Sequence, residues 1–153
     1  MSVPNLKTLW RISNHLDLSG EGSRKAAARW HNVGSRIVYL AESPTAALLE
    51  TLVHLDVDSE DTPECYMLLK ISAPDNLAIL PLDPPDGSNW KQDQESTRRM
   101  GDDWLNSLKS PLARVPSSIA PQTWNYLLNP LHPEGKLVQV AEVINERFDN
   151  RLF

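Results

Sequence analysis

Cysteine is nearly absent from this chain: Cys65 stands alone among 153 residues. No intramolecular disulfide and no cysteine-based zinc cluster can therefore form. Missing too is any run approaching the roughly eighteen apolar residues of a membrane span. The N-terminus has no basic stretch followed by an apolar one, so no signal peptide is expected and a reducing cytoplasm is the expected compartment. A basic surplus is also lacking. Fifteen Lys+Arg against 20 Asp+Glu leave a formal net charge of −5, without the global positive charge that drives non-specific binding to nucleic acid. No direct nucleic-acid contact is expected. The phosphate loop GxxxxGK[ST], the zinc helix HExxH and the nucleophile elbow GxSxG do not occur. His15, His31, His54 and His132 show no helical metal spacing with one another, and no metal site is expected.

What is present suits one domain spanning residues 1–153, with 41% hydrophobic residues to build a sizeable core. Twelve prolines argue against a bundle of long helices. Leu6 to Ser13 reads as a strand with Arg11 near its middle, and Arg36 to Ala41 as a short buried strand. Ser43 and Pro44 form a helix start, followed by an apolar stripe of Ala46, Leu48, Leu49, Leu52 and Val53. Glu50 falls just beyond one edge of that stripe, with His54 one turn further along. Tyr66 to Ser72 and Leu137 to Ala141 read as strands, Leu77 to Leu80 as a shorter apolar run. Cys65, beside the first of these, is expected to be a packed core thiol. Met100, Trp104 and Leu108 at spacings of four suggest an exposed amphipathic helix over Asp93 to Leu108. Pro111, Pro116, Pro121, Pro130 and Pro133 then punctuate short strands and loops. Short strands with two or so helices point to an α+β domain with a small mixed or antiparallel sheet.

Several polar residues stand at unusual places, each with an ordinary structural explanation beside a functional one. Arg11 lies inside an apolar pattern, as a snorkelling edge arginine would. In Arg29-Trp30-His31-Asn32, Trp30 could anchor the core while Arg29 remains solvated. Glu50 could form a surface pair with His54 worth a few tenths of a kcal/mol. Pro116-Ser117-Ser118 and Asn125 to Pro130 offer small polar groups that turns and caps would also use.

Taken in order, these segments resemble the RES-domain family, named for an arginine, a glutamate and a serine. The matching stretches are Leu9-Trp10-Arg11-Ile12-Ser13, Arg29 to Asn32 followed by Gly34, and Val38-Tyr39 leading to Ser43-Pro44 and Leu49-Glu50. Val115 to Ser118, Asn125 to Pro130 with His132-Pro133, and Phe148-Asp149 with Arg151-Leu152-Phe153 complete the series. The resemblance implies a fold similar to ADP-ribosyltransferases and the toxin half of a bacterial toxin–antitoxin pair. It implies degradation of NAD+ as substrate, with no other cofactor, and a helix-turn-helix antitoxin as partner.

Carried onto this chain, the resemblance implies Glu50, Arg11 and Ser117 as catalytic residues and Arg29, Tyr39 and Asn125 as binding residues. Ser117 is preferred to Ser118 because it directly follows Pro116. A carboxylate beside the anomeric carbon suits an oxocarbenium-like transition state, and arginine forks suit a pyrophosphate. Tyr39 would stack on the nicotinamide, while Ser117 would orient its ribose. A mono-ADP-ribosyltransferase acting on a protein would use the same residues. A non-enzymatic module anchored by Trp10, Trp30, Trp90, Trp104 and Trp124 is the reading from a different class.

Overall fold

The computed structural model describes residues 5–55 and 63–153. Its frame is a seven-stranded sheet. The strands are β1 (Leu6–Ile12), β2 (Val38–Ala41), β3 (Cys65–Pro74), β4 (Ile79–Pro81), β5 (Leu112–Pro116), β6 (Trp124–Leu128) and β7 (Gln139–Arg147). Two α-helices, α1 (Pro44–His54) and α2 (Glu95–Ser107), accompany it. The spatial order is β4-β5-β6-β2-β1-β3-β7. Neighbours run antiparallel except β4 and β5, which are parallel. This is an α+β domain, as the mixture of short strands and helices predicts.

β1 pairs β3 along its whole length, from Leu6 opposite Pro74 to Ile12 opposite Leu68. It meets β2 at one register position, Trp10 opposite Ala41. The sheet therefore splays between β1 and β2. Strand alternation assigns Leu9, Val38, Leu40, Leu69, Ile71, Leu112 and Leu128 to a core on one face. On the other face, Trp30, Ile37, Trp104, Leu105, Ala113, Val115 and Leu127 pack together at α2. Ala41, Ala46 and Ala47 form a smaller cluster at α1, with Trp10 and Ile12 against it.

α1 starts as its sequence requires. The Ser43 hydroxyl oxygen accepts the Ala46 N–H at 3.0 Å and Pro44 occupies the first turn. The expected stripe is buried only in part, however: Ala46 is buried, and Leu48, Leu49 and Leu52 are half-buried. Ala46 and Ala47 are buried, whereas Val53 is 52% exposed. Small residues let the helix lie close to the sheet, and Glu50, three and four positions further on, shares their face. Glu50 is thus on the sheet-facing side of α1, and among the described residues its bonds go to the sheet side and not to the exposed His54.

Two further expectations need correction. Cys65 is exposed: it opens β3 beyond the buried positions Leu69, Ile71 and Ala73, so it never reaches the core. α2 is no merely exposed helix, because Thr97, Gly101, Trp104 and Leu105 are buried along one side. Leu108, expected to continue that spacing, instead ends the helix in the left-handed region (φ 54°) and is half-exposed.

Candidate active site

A cleft with a volume of about 890 Å³ lies against α1 and the splay between β1 and β2. Such a volume suits a ligand of nucleotide size. Trp10, Arg11, Arg29, Tyr39, Glu50 and Asn125 all contribute to its wall.

Glu50 is the carboxylate of the cleft, and its orientation is fixed from the sheet. The Asn125 side-chain amide donates to Glu50 Oε1 at 2.9 Å and the Ser117 hydroxyl donates to the same oxygen at 3.2 Å. The hairpin register explains the convergence. Asn125 on β6 stands opposite Val115 on β5 and opposite Ala41 on β2, directly beneath α1. Ser117 extends the β5–β6 pairing by one residue, its N–H donating to the Thr123 carbonyl at 2.9 Å. Among the described residues Glu50 Oε2 has no hydrogen-bond partner, so one carboxylate oxygen is anchored and the other is left for a ligand.

Ser117 serves this carboxylate rather than the open cleft. It is buried, and its Oγ also accepts the Ile119 and Ala120 N–H groups at 3.1 and 3.2 Å. Its neighbour Ser118 lines the cleft. The Asn125 Oδ1 is buried without a partner among the described residues. That orphaned acceptor is consistent with the amide orientation, since a carboxylate can only face the NH2 end.

Arg29 sits in the turn before β2. Its Nη1 donates to the Trp90 carbonyl at 3.0 Å and its Nη2 to the Lys91 carbonyl at 3.2 Å, with the guanidinium 5.6 Å from the Trp90 ring centre. Burial lowers the Arg29 pKa, while the nearby Glu50 charge and Tyr39 oppose that shift. It remains a cation, since arginine is not deprotonated in proteins. Arg29 is half-buried and structurally engaged rather than freely solvated, and Trp30 beside it is a core residue, 2% exposed.

α2 holds the Arg29 turn through its backbone. Thr97 Oγ1 donates to the Arg29 carbonyl at 2.6 Å and Arg98 Nε to the Ala28 carbonyl at 2.8 Å. Asp102 accepts from Asn32 and Ser35 on the same loop. Gly101 permits the approach: a Cβ there would lie 1.7 Å from the Trp30 carbonyl oxygen. None of these α2 contacts is visible from local sequence, because each spans about seventy residues.

Tyr39 contributes to the cleft wall while its hydroxyl braces the same turn. The hydroxyl oxygen accepts the Trp30 N–H at 3.1 Å and lies 2.7 Å from His31 Nδ1. His31 Nε2 faces the Ser23 and Ala26 carbonyls, both at 2.9 Å. Two acceptors there require a proton on Nε2, so the Tyr39 O–H donates to Nδ1. Burial pushes the Tyr39 pKa up, keeping the phenol neutral.

Arg11 is placed differently. Alternation along β1 assigns it to the face of Leu9, opposite Trp10 and Ile12. Its Nη1 donates to the Asp17 carbonyl at 3.0 Å, and burial lowers its pKa against the opposing attraction of Asp17. It borders the cleft where the strands splay, but it makes no bond to Glu50, Ser117 or Asn125 among the described residues. No group of three His, Cys, Asp or Glu side chains able to hold a metal occurs among the described residues. No helix among them is long and apolar enough to cross a membrane.

The fold and cleft define a class of protein: an α+β domain in which a sheet-braced glutamate shares a nucleotide-sized cleft with arginines. Comparison with known proteins then specifies it. The RES domain family profile matches residues 8–149, and the chain belongs to the RES-domain family of toxins. It is similar to "Toxin Res" of Pseudomonas putida, with 44% identity over 95% of this chain and 99% of that protein. It is also similar to "Prs ADP-ribosylating toxin" of a Sphingobium species, with 35% identity over 95% of this chain and 96% of that protein. Among solved structures, the Mycobacterium tuberculosis MbcT–MbcA toxin–antitoxin complex contains a chain of the same fold. That likeness has a TM-score of 0.73 and 22% identity, and covers 95% of this chain and 86% of that one.

Proposed function

We propose that this protein is the toxin of a toxin–antitoxin pair and cleaves the nicotinamide–ribose bond of NAD+. The observation that carries this reading is the half-anchored carboxylate of Glu50, with Oε1 pinned by Ser117 and Asn125 inside a cleft of nucleotide size. Glu50 accepts a hydrogen bond from the ribose 2′-hydroxyl through Oε2 and stabilises the positive charge that develops at the anomeric carbon. The carbon–nitrogen bond breaks with its electron pair passing to the pyridinium nitrogen, so neutral nicotinamide leaves. Water or phosphate then adds an oxygen to the anomeric carbon; with water as acceptor the added oxygen loses a proton, giving ADP-ribose. Arg29 holds the pyrophosphate, Tyr39 presents its ring to the nicotinamide, and Arg11 strengthens the positive field at the splayed edge. Ser117 and Asn125 act through Glu50, a role that replaces direct ribose contact by Ser117 with control of the carboxylate.

A second reading has a specific observation in its favour. The Sphingobium relative is named as an ADP-ribosylating toxin, and transfer of the same oxocarbenium carbon to a protein nucleophile would use the same cleft. Labelled NAD+ distinguishes the two: label found on protein supports transfer, whereas free ADP-ribose or its phosphate supports cleavage. In this reading the partner is an antitoxin, as in the complex that holds the structural neighbour, while its helix-turn-helix type and the cytoplasmic setting are expectations from the family resemblance alone. Addition of the product of the adjacent reading frame should suppress NAD+ loss; undiminished loss in a stable complex contradicts the antitoxin assignment.

A further inference from the structure

Gln94 immediately precedes α2 and forms part of the cleft wall. Its side-chain oxygen is already committed: Arg98 Nη2 donates to Gln94 Oε1 at 3.0 Å. An arginine offers only donors, so the atom facing it is the amide oxygen and the NH2 group points away. Among the described residues that NH2 group has no acceptor. The same Arg98 side chain donates through Nε to the Ala28 carbonyl at 2.8 Å. One guanidinium therefore ties the Gln94 amide to the residue preceding Arg29. Ala27, Ala28, Arg29 and Gln94 all line the cleft, and Thr97 secures the Arg29 carbonyl from the same helix turn.

We propose that Gln94 is a further substrate-binding residue, donating its amide NH2 to a pyrophosphate oxygen held beside Arg29, and that Arg98 is the positioning residue that orients it. This rests on the NAD+ reading above and names a second contact within that site. An anionic oxygen is the acceptor that best matches the place, because it would receive the Gln94 donor and the Arg29 charge together. The Arg98 fork makes the amide orientation unambiguous and removes the rotamer freedom that a lone surface glutamine would lose on binding.

Isothermal titration in the full chain carrying Glu50→Gln, chosen to slow turnover during the measurement, tests the proposal with NAD+, ADP and nicotinamide riboside. Gln94→Glu keeps an acceptor for Arg98 but removes the donor and adds a negative charge. It should weaken NAD+ and ADP binding by about tenfold or more, with nicotinamide riboside, which lacks phosphates, altered by no more than about twofold. In the active chain, Arg98→Met should raise KM for NAD+ more than it lowers kcat, and Arg98→Lys should restore part of the loss. Unchanged ADP affinity in Gln94→Glu, or an equal loss for nicotinamide riboside, overturns the assignment. A parent chain that binds neither NAD+ nor ADP contradicts the NAD+ reading itself, and the proposal falls with it.

Discussion

The Glu50 corner and the Arg29 corner of the cleft are held by different means. At Glu50 the functional atom itself is gripped: the Ser117 hydroxyl and the Asn125 amide both donate to Oε1. At Arg29 the backbone is gripped, through carbonyls of Ala28 and Arg29 that accept bonds from Arg98 and Thr97 of α2. The guanidinium rests on the Trp90 and Lys91 carbonyls. A group that must stabilise charge at one carbon needs its oxygens fixed within a fraction of an ångström. A cation that holds a diffuse pyrophosphate charge tolerates more play. The first corner should therefore govern kcat and the second KM.

The sharpest way to break this contrast is Glu50→Gln, which should lower kcat by on the order of 10²–10³ while leaving the fold intact. A Glu50→Gln enzyme with altered KM and normal kcat would reverse the roles of the two corners. Next in size, Asn125→Ala and Ser117→Ala each free Oε1 from one donor. Each should lower kcat by about tenfold, and the double variant should show non-additivity because both act on one atom.

How much of this was legible in the sequence differs between the corners. Ser43 and Pro44 announced α1, and the ordered arginine, glutamate and serine segments announced the family. The face of α1 that carries Glu50 was legible only in part, because the apolar count took in Ala46 but passed over Ala47. Close approach to a sheet selects the small residues Ala46 and Ala47. The α2 clamp was not legible, since Thr97, Arg98 and Asp102 look like ordinary solvent-facing helix residues until the turn at 28–35 is folded against them. Likewise Cys65 read as core from its apolar neighbours, although strand position, not composition, decides its exposure.

At the second corner, Gly101→Ala would drive a Cβ into the Trp30 carbonyl. It should cost about 3 kcal/mol or more of stability, measured by denaturant unfolding. Full stability would show that α2 can back away from the Arg29 turn without loss. The smallest effect concerns Tyr39. Its pKa is raised by burial, so the unfolded chain gives up this proton first as pH rises. The associated stability is complete below about pH 10 and falls above it. In Tyr39→Phe part of that alkaline decline should disappear, and an identical alkaline slope in the two proteins would remove Tyr39 from the account.

The central claim is that the half-anchored Glu50 carboxylate breaks the nicotinamide–ribose bond. The direct measurement is release of nicotinamide from NAD+ by the purified protein, followed chromatographically beside Glu50→Gln of matched circular dichroism. Stoichiometric nicotinamide is expected from the parent chain and almost none from the variant. Equal release by the two folded proteins, or no release by the parent, would contradict that claim.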